Sequence, residues 1–124
     1  MGCKMYLATQ EQEYLDWAIK CYDYMLDVLQ DKSDHLFYDN VRPNKDDPNL
    51  PGDLEKNKYS YNSGQPLQAA CLLYKITGEQ KYLDEAYAIA ESCHKKWFMP
   101  YRSKELNLTF NILAPGHAWF NTLI

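Results

Sequence analysis

An internal repeat constrains this sequence more than any other feature. Residues 9–18 (TQEQEYLDWA) return as residues 77–86 (TGEQKYLDEA), with seven of ten positions identical at an offset of 68. Each copy begins with a threonine followed three residues later by a glutamine, the spacing of a capping box, which satisfies free backbone N–H groups at a helix start. We therefore expect Thr9 and Thr77 each to mark the start of a helix, so that one type of helix junction occurs twice.

Apolar residues recur every three to four positions in three stretches, which is the period of an amphipathic helix. The predicted helices cover about residues 10–30, 64–76 and 79–98. Pro66 falls in the first turn of the second predicted helix, where proline is tolerated. The second and third stretches are separated by a short turn and are expected to pair as a hairpin. The predicted fold class is therefore all-α, built from antiparallel helical hairpins.

Both ends of the chain look like parts of further hairpins. Residues 4–7 align with the close of the 64–76 helix, and no residues precede them to form its start. Residues 115–124 begin another apolar helix of barely two turns. We expect residues 1–124 to be one partial domain of a larger helical array, truncated at both ends. Frayed termini of a small bundle are the alternative.

Two segments have the composition of loops. Residues 31–62 contain three prolines and many Asn, Asp and Lys residues, which predicts a long excursion over one end of the array. Residues 99–114 occupy the equivalent place in the second unit. If tight turns and long loops alternate, both loops lie at the same end and border a cleft suited to a ligand.

Charge and cysteine spacing argue against several kinds of partner. With 13 basic and 17 acidic residues the formal charge is −4, and the basic residues are dispersed, which disfavours nucleic acid. No apolar run approaches the roughly 20 residues of a membrane-spanning helix, and neither a membrane anchor nor a signal peptide is recognised. The four cysteines lack zinc-ligand spacing, so we expect no metal and no cofactor. Cys21 and Cys71 fall in apolar helical patterns and are predicted to be buried free thiols; a disulfide is the alternative, which the spacing of the cysteines does not decide.

The end of the long loop is the strongest candidate for a ligand site. Residues 59–66 (YSYNSGQP) gather two phenols, two amides and a small-residue turn at a helix start. Tyrosine rings stack on sugar rings, and Asn and Gln amides both donate to and accept from hydroxyl groups. Composition alone supports equally a structural interpretation, in which Ser63 caps the helix and the tyrosines pack.

These residues carry a family resemblance. Residues 59–65 (YSYNSGQ), 72–78 (LLYKITG) and 81–86 (KYLDEA) resemble glycoside hydrolase family 76, the α-1,6-mannanases, and residues 119–121 (WFN) resemble a later family helix. The resemblance covers nearly the whole chain but only about the middle third of a family domain. It implies part of an (α/α)6 toroid and a piece of a retaining endo-α-1,6-mannanase acting on α-mannan. Enzymes of this family are usually exported, but the sequence of this chain does not predict a localisation.

The resemblance also implies that no catalytic residue is present. The family's catalytic pair is two adjacent aspartates upstream of the segment that matches residues 4–7, so the chain alone is expected to be inactive. Asp46 and Asp47 are the only adjacent aspartates here, and glycoside hydrolysis generally needs two carboxyl groups. Their segment, residues 44–49 (NKDDPN), has no aromatic neighbours to raise a carboxyl pKa, so we interpret it as an exposed turn.

The expected partner is a carbohydrate, α-mannan or a related glycan, with self-association through exposed helix faces as a further expectation. His117 is the histidine best placed for a cleft, but an unengaged histidine at a helix start is the simpler interpretation, and no nucleophile triad is supported. Asp39 lies where similar enzymes carry an acidic residue near the cleft. The candidate substrate-binding residues are Tyr61, Asn62, Gly64, Gln65, Asp39 and Trp119.

A helical-repeat scaffold that binds protein is the alternative function. The offset of 68 residues is about twice the 34-residue tetratricopeptide period. Such a scaffold requires an intermediate repeat near residues 43–52, where three prolines and Gly52 oppose helix formation. A mannan-binding piece of a glycoside hydrolase is therefore the preferred hypothesis.

Overall fold

Residues 1–47, 49–50, 52–98, 102–103 and 108–109 are described by a computed structural model of the chain, residue 98 and the last two pairs by their backbone alone. The helices are α1 (Gly2–Thr9), α2 (Gln12–Tyr24), α3 (Ser60–Thr77) and α4 (Gln80–Cys93). Five-residue π-helical segments, Met25–Leu29 and His94–Phe98, continue α2 and α4. The strands are β1 (Asn40–Arg42), β2 (Asp53–Glu55), β3 (Arg102–Ser103) and β4 (Leu108–Thr109).

The described part of the chain is mostly helical, as predicted. Helices α3 and α4 pack against each other across a two-residue turn, and α1 packs on α2 while both contact α3. The sequence did not predict the two small antiparallel strand pairs, β1 with β2 and β3 with β4. None of the helices in the described ranges is both long and apolar enough to cross a membrane.

Helix α3 begins at Ser60, earlier than the predicted start near residue 64. Pro66 therefore lies inside the helix instead of in its first turn. Because proline has no backbone N–H, the carbonyl of residue 62 lacks the helical hydrogen bond that residue 66 would otherwise donate. Ser63 is fully buried within the helix, and its Oγ accepts the backbone N–H of Phe37 at 3.2 Å. The proposed capping role of Ser63 is wrong, because its hydroxyl instead joins the long loop to α3.

Thr77 closes α3, so the prediction that it opens a helix is wrong. Its hydroxyl donates to the carbonyl of Leu73 at 2.9 Å and accepts the N–H of Glu79 at 3.2 Å. Gln80 does not complete a capping box, because its amide donates to Asp84 at 2.8 Å. The first junction has the same contacts. The hydroxyl of Thr9 donates to the carbonyl of Met5 and accepts the N–H of Glu11, and the amide of Gln12 donates to Asp16.

The long loop between α2 and α3 has internal structure. Gln30 and Phe37 form a single antiparallel bridge, after which β1 and β2 make a hairpin with Val41 opposite Leu54. The described residues of the 43–52 segment connect these two strands and contain no helix. This part of the chain therefore lacks the intermediate repeat that a tetratricopeptide-like scaffold requires.

The core has two buried clusters. One joins the four helices, and its buried members are Cys3, Leu15, Tyr22, Ala70, Leu73, Tyr82 and Ala86. The other joins the long loop to α4 and its π-helical extension, through Leu36, Phe37, Ile89, Cys93 and Trp97. The second cluster fixes the start of the loop against the helical hairpin.

The cysteine prediction is wrong for the two residues it named. Cys21 and Cys71 are exposed, while Cys3 and Cys93 are buried, and all four are free thiols. Apolar residues occupy more than one side of α2 and α3, so a 3.6-residue period does not identify the side that faces the core.

Candidate functional site

Two buried side chains determine where the long loop meets α3. Leu36 and Phe37 are each 1% exposed and pack in the second core cluster. The N–H of Phe37 bonds Ser63 within α3, and two residues later the N–H of Asp39 donates to the carbonyl of Glu55 at 3.1 Å. Asp39 is consequently held between the start of α3 and strand β2.

The carboxylate of Asp39 connects the loop to the first turn of α3. Its Oδ1 accepts the hydroxyl of Tyr61 at 2.8 Å and the amide Nδ2 of Asn62 at 3.0 Å. Its Oδ2 accepts the amide of Asn40 at 2.8 Å. Three of the predicted site residues thus meet in one arrangement, which we call the Asp39 cluster: Asp39, Tyr61 and Asn62.

The hydrogen bonds also set the charge of the Asp39 cluster. Donation from Asn62 and then from Tyr61 lowers the pKa of Asp39, so the carboxyl group is ionised at neutral pH. Burial, and next the bond to Asp39, raises the pKa of Tyr61, so the phenol keeps its proton. An ionised carboxylate only accepts hydrogen bonds, and each of its oxygens has room for more than one donor.

An aromatic surface adjoins the cluster. The rings of Tyr59 and Tyr61 are stacked, with centroids 5.9 Å apart and an angle of 13° between their planes. Tyr59 is 40% exposed. Tyrosine rings can pack against the apolar faces of sugars while their hydroxyls form hydrogen bonds. The two phenols noted in the sequence therefore lie side by side next to a carboxylate.

Among the described residues, two further candidates, Gly64 and Gln65, do not join the hydrogen bonds of this cluster. Gly64 is buried within α3. Gln65 is exposed and lines a cavity of about 400 Å³ together with Met1, Cys3 and Leu72, among others; no hydrogen bond to the Asp39 cluster is found for it in the described part of the chain. Trp119 and His117 lie outside the described residues.

The adjacent aspartates form a turn. Asn44 Oδ1 accepts the backbone N–H groups of Asp46 and Asp47 at 2.9 and 3.1 Å. Asp46 is exposed and Asp47 half-buried, so the prediction of an exposed turn holds for the first and in part for the second. Across the described ranges, no group of three or more His, Cys, Asp and Glu side chains is arranged to hold a metal ion.

Sequence reasoning missed a second polar arrangement, formed by Lys58 with Asp31 and Asp34. Their Nζ–carboxylate distances are 2.6 and 2.8 Å. The partners are 27 and 24 residues apart in the chain, so no helical or strand period connects them. One indirect indication of this contact was present in the sequence: two aspartates lie at the start of the long loop, just after α2, and a lysine lies at its end, close to α3.

Comparisons with known proteins give these observations a family context. The family model for glycosyl hydrolase family 76 matches residues 1–119. A solved structure of the family 76 mannosidase Bt3792 from Bacteroides thetaiotaomicron is 99% identical, with a TM-score of 0.84 over 98% of this chain and 32% of that chain. Mannan endo-1,6-alpha-mannosidase DCW1 of Candida glabrata is 32% identical over 82 residues, which are 64% of this chain and 18% of that protein.

A third relative is an inactive variant of the α-1,6-mannanase GH76A of Salegentibacter sp. HEL1_6, in complex with α-1,6-mannotetrose. Two adjacent aspartates are replaced in it; it is 33% identical, with a TM-score of 0.67, over 73% of this chain and 26% of that one. This chain spans about a third or less of the length of all three relatives. The predicted all-α toroid class is confirmed by helical hairpins that superpose on solved family members. With its family model matched over nearly the whole sequence, the chain belongs to glycoside hydrolase family 76.

Proposed function

We propose that this chain supplies part of the sugar-binding cleft of an enzyme that hydrolyses α-1,6-linked mannan. The observation that carries the proposal is the Asp39 cluster, in which Tyr61 and Asn62 hold an ionised carboxylate at 2.8 and 3.0 Å. A fixed carboxylate is a strong acceptor for sugar hydroxyls, because charge-assisted hydrogen bonds are shorter and stronger than neutral ones. Complexes of the Salegentibacter relative with α-1,6-mannotriose and mannotetrose support a mannan ligand.

The neighbouring residues fit the same ligand. The stacked ring of Tyr59 offers an apolar face beside Tyr61. Gln65 follows Tyr61 by four positions in α3, which places the two side chains on the same side of the helix. We propose that Gln65 extends the hydrogen-bonding surface along α3, while buried Gly64 provides close packing. Trp119 completes the proposed set of contacts.

Hydrolysis requires groups beyond this set. A retaining glycosidase uses one carboxylate as nucleophile and a second as acid and base, at a separation of about 5–5.5 Å. Asp46 and Asp47 lie in a loop turn, the first exposed and the second half-buried, and we do not propose them as that pair. We infer that the catalytic pair comes from a part of the family domain that this chain does not span, and that the chain alone binds mannan oligosaccharides without cleaving them. Loss of activity in the relative with two replaced aspartates supports such a pair.

Calorimetric titration of the 124-residue chain with α-1,6-mannotriose tests the proposal. Asp39→Asn and Tyr61→Phe are each expected to lower the affinity about tenfold or more. A hydrogen bond to a charged group contributes about 1.5–3 kcal/mol, and about 1.4 kcal/mol corresponds to a tenfold change in affinity. Tyr87→Phe is the matched control, because Tyr87 is 70% exposed on α4. Unchanged affinity in both site variants would contradict a role in binding, and equal binding of a cellulose oligosaccharide would contradict the choice of mannan.

Exposed apolar side chains on α2 support a second part of the proposal, self-association. Trp17, Tyr24 and Val28 are 57%, 54% and 37% exposed, and their spacing places them on one side of the helix and its π-helical extension. Apolar surface of this kind favours association. Sedimentation velocity is expected to show a concentration-dependent dimer that Trp17→Lys weakens; a monomer at all concentrations would contradict this.

A further inference from the structure

Lys58 connects the two ends of the loop that carries Asp39. It lies two residues before α3, and its ammonium group contacts the turn that follows α2. Nζ donates to Asp31 Oδ2 at 2.6 Å and to the two oxygens of Asp34 at 2.9 and 2.8 Å. A lysine ammonium has three donors, so this geometry matches all of them with carboxylate oxygens.

Asp31 and Asp34, which accept hydrogen bonds from Lys58, are also held by hydrogen bonds within their own turn. Asp31 Oδ1 accepts the N–H and the hydroxyl of Ser33 at 3.0 and 2.6 Å. Asp34 Oδ1 accepts the N–H of Leu36 at 3.0 Å. His35 has a left-handed backbone, φ 57°, and donates its N–H to the carbonyl of Asp31 at 2.8 Å. The turn therefore presents two oriented carboxylates and leads directly into the buried anchor of the loop.

Tyr38 joins the same arrangement. Its hydroxyl donates to Asp31 Oδ2 at 2.7 Å, and its ring centroid lies 5.0 Å from Lys58 Nζ. This distance is within the range of a cation–π contact. We call the four residues Lys58, Asp31, Asp34 and Tyr38 the loop clasp.

The loop clasp is charged and partly enclosed, since the Lys58 side chain is 11% exposed. Burial opposes the charge of Lys58, but hydrogen bonds from its ammonium to Asp31 and Asp34 outweigh it and raise its pKa. The bond from Lys58, followed by those from Ser33 and Tyr38, lowers the pKa of Asp31. Lys58 is the most enclosed member of the two ion pairs, because the Asp31 and Asp34 side chains are 22% and 38% exposed.

We propose that Lys58 is a positioning residue, whose clasp fixes Asp39 relative to Tyr61 and Asn62. Asp39 directly follows Tyr38 of the clasp, and Tyr61 lies three residues after Lys58. Asp39 on one side of the cluster, and Tyr61 with Asn62 on the other, are thus attached to the loop clasp by very short stretches of backbone. The consequence of this positioning for sugar binding rests on the function proposed above.

The titration of Asp39, followed by carboxyl ¹³C NMR in the 124-residue chain, tests positioning directly. Hydrogen bonds from Asn62, Tyr61 and Asn40 and the charge of Arg42 lower the pKa of Asp39, while burial raises it. Lys58→Met, which keeps the length of the side chain, is expected to raise the Asp39 midpoint measurably towards its ordinary value. Lys58→Arg keeps the charge and is expected to retain more of the lowered midpoint.

Asp34→Asn separates positioning from direct electrostatics. Removing a nearby negative charge by itself lowers the midpoint of Asp39, whereas a displaced Asp39 loses donors and its midpoint rises. The Asp34 side chain is 38% exposed, and an asparagine can still accept the N–H of Leu36, so the variant is expected to fold. A midpoint that rises supports the proposal. A midpoint that falls or stays constant overturns it, including the case in which Lys58→Met does not fold.

Mannotriose affinity is the second readout. Lys58→Met and Asp34→Asn are expected to weaken binding about tenfold, while Lys81→Met, which breaks the exposed ion pair with Glu79, leaves binding unchanged. If the unsubstituted chain does not bind mannotriose, the proposed function fails, yet the Asp39 midpoints still decide whether Lys58 positions it. If the midpoint rises and affinity stays constant, positioning stands and the contribution of Asp39 to binding is overturned.

Discussion

The two helix junctions have similar sequences and closely similar local geometry. After α1, Gln10 adopts a left-handed backbone with φ 61° and ψ 17°; after α3, Gly78 does so with φ 72° and ψ 4°. In both junctions the N–H of this residue donates to the carbonyl four residues earlier, Tyr6 or Tyr74, at 2.8 Å. The repeated sequence therefore specifies the turn twice.

The same two regions differ in which side chains they bury. Cys3 and Cys71 are equivalent at the 68-residue offset, yet Cys3 is buried and Cys71 exposed. Met5 is 36% exposed, while its equivalent Leu73 is fully buried. Helix α3 contacts α1, α2 and α4, whereas α1 contacts α2 and α3. Local geometry thus follows the sequence of a junction, and burial follows the number and position of neighbouring helices.

The largest effect is expected from truncation at the equivalent positions Leu73 and Met5. Leu73→Ala leaves a cavity in the core and is expected to lower the free energy of unfolding by about 2–5 kcal/mol. Met5→Ala is expected to cost less than about 1 kcal/mol, because Met5 is 36% exposed. Urea unfolding of both variants measures the difference. Equal losses would show that burial repeats along with the sequence.

Thiol reactivity is expected to divide the cysteines by burial. A thiolate is the reactive form; burial raises the pKa of Cys93 to about 12 and also raises that of Cys3. Cys71 and Cys21 are expected to react with Ellman's reagent about ten times faster or more than the buried pair. Peptide mapping assigns the rates, and unfolded protein, in which all four react alike, is the control. Similar rates for Cys3 and Cys71 would contradict the comparison.

A smaller effect is expected at the left-handed positions. Gly78→Ala is expected to cost about 1 kcal/mol, because alanine disfavours positive φ; a Cβ there meets no atom within 4 Å, so strain is the only cost. Gln10→Gly relieves the same strain but loses the bond from Gln10 Nε2 to the carbonyl of Leu7 at 3.2 Å. Its net gain is expected to be less than about 1 kcal/mol. Urea unfolding of both variants tests whether Gly78→Ala lowers the free energy of unfolding while Gln10→Gly raises it.

The helical segments and their pairing were predictable because a 3.6-residue period extends over several turns. The starts of the helices that follow the junctions were predicted too early, because Thr9 and Thr77 end α1 and α3, and α2 and α4 begin only at Gln12 and Gln80. A threonine followed three residues later by a glutamine fits the end of one helix as well as the start of the next. Gly78 carried the correct signal, because glycine commonly follows a helix C-terminus. Gln10 gave no such signal. Pro66 suggested a start of α3 near residue 64, but the helix begins at Ser60, where its first turns form hydrogen bonds with Phe37 and Asp39 of the loop.

The candidate site was predictable in composition and only partly in geometry. Tyr61 and Asn62 are adjacent in sequence, and Asp39 follows a buried pair, so their chemistry and approximate location could be inferred. Lys58 and its two aspartates were not found, because contacts between residues 24–27 positions apart depend on how the loop folds back. The cavity that Gln65 lines with Cys3 and Leu72 likewise depends on how α3 packs against α1.

The smallest effect is expected at the two threonines, where the junctions should behave alike. Both hydroxyls donate to a carbonyl, at 3.0 Å for Thr9 and 2.9 Å for Thr77, and both accept an N–H at 3.2 Å. Thr9→Val and Thr77→Val preserve side-chain shape and are each expected to cost about 0.5–1 kcal/mol in urea unfolding. Equal losses would show that these contacts depend on the local chain alone. A clearly larger loss at half-buried Thr77 would mean that the helices packed against α3 also stabilise the turn. The conclusion that the junction sequence alone determines its local geometry would then be wrong.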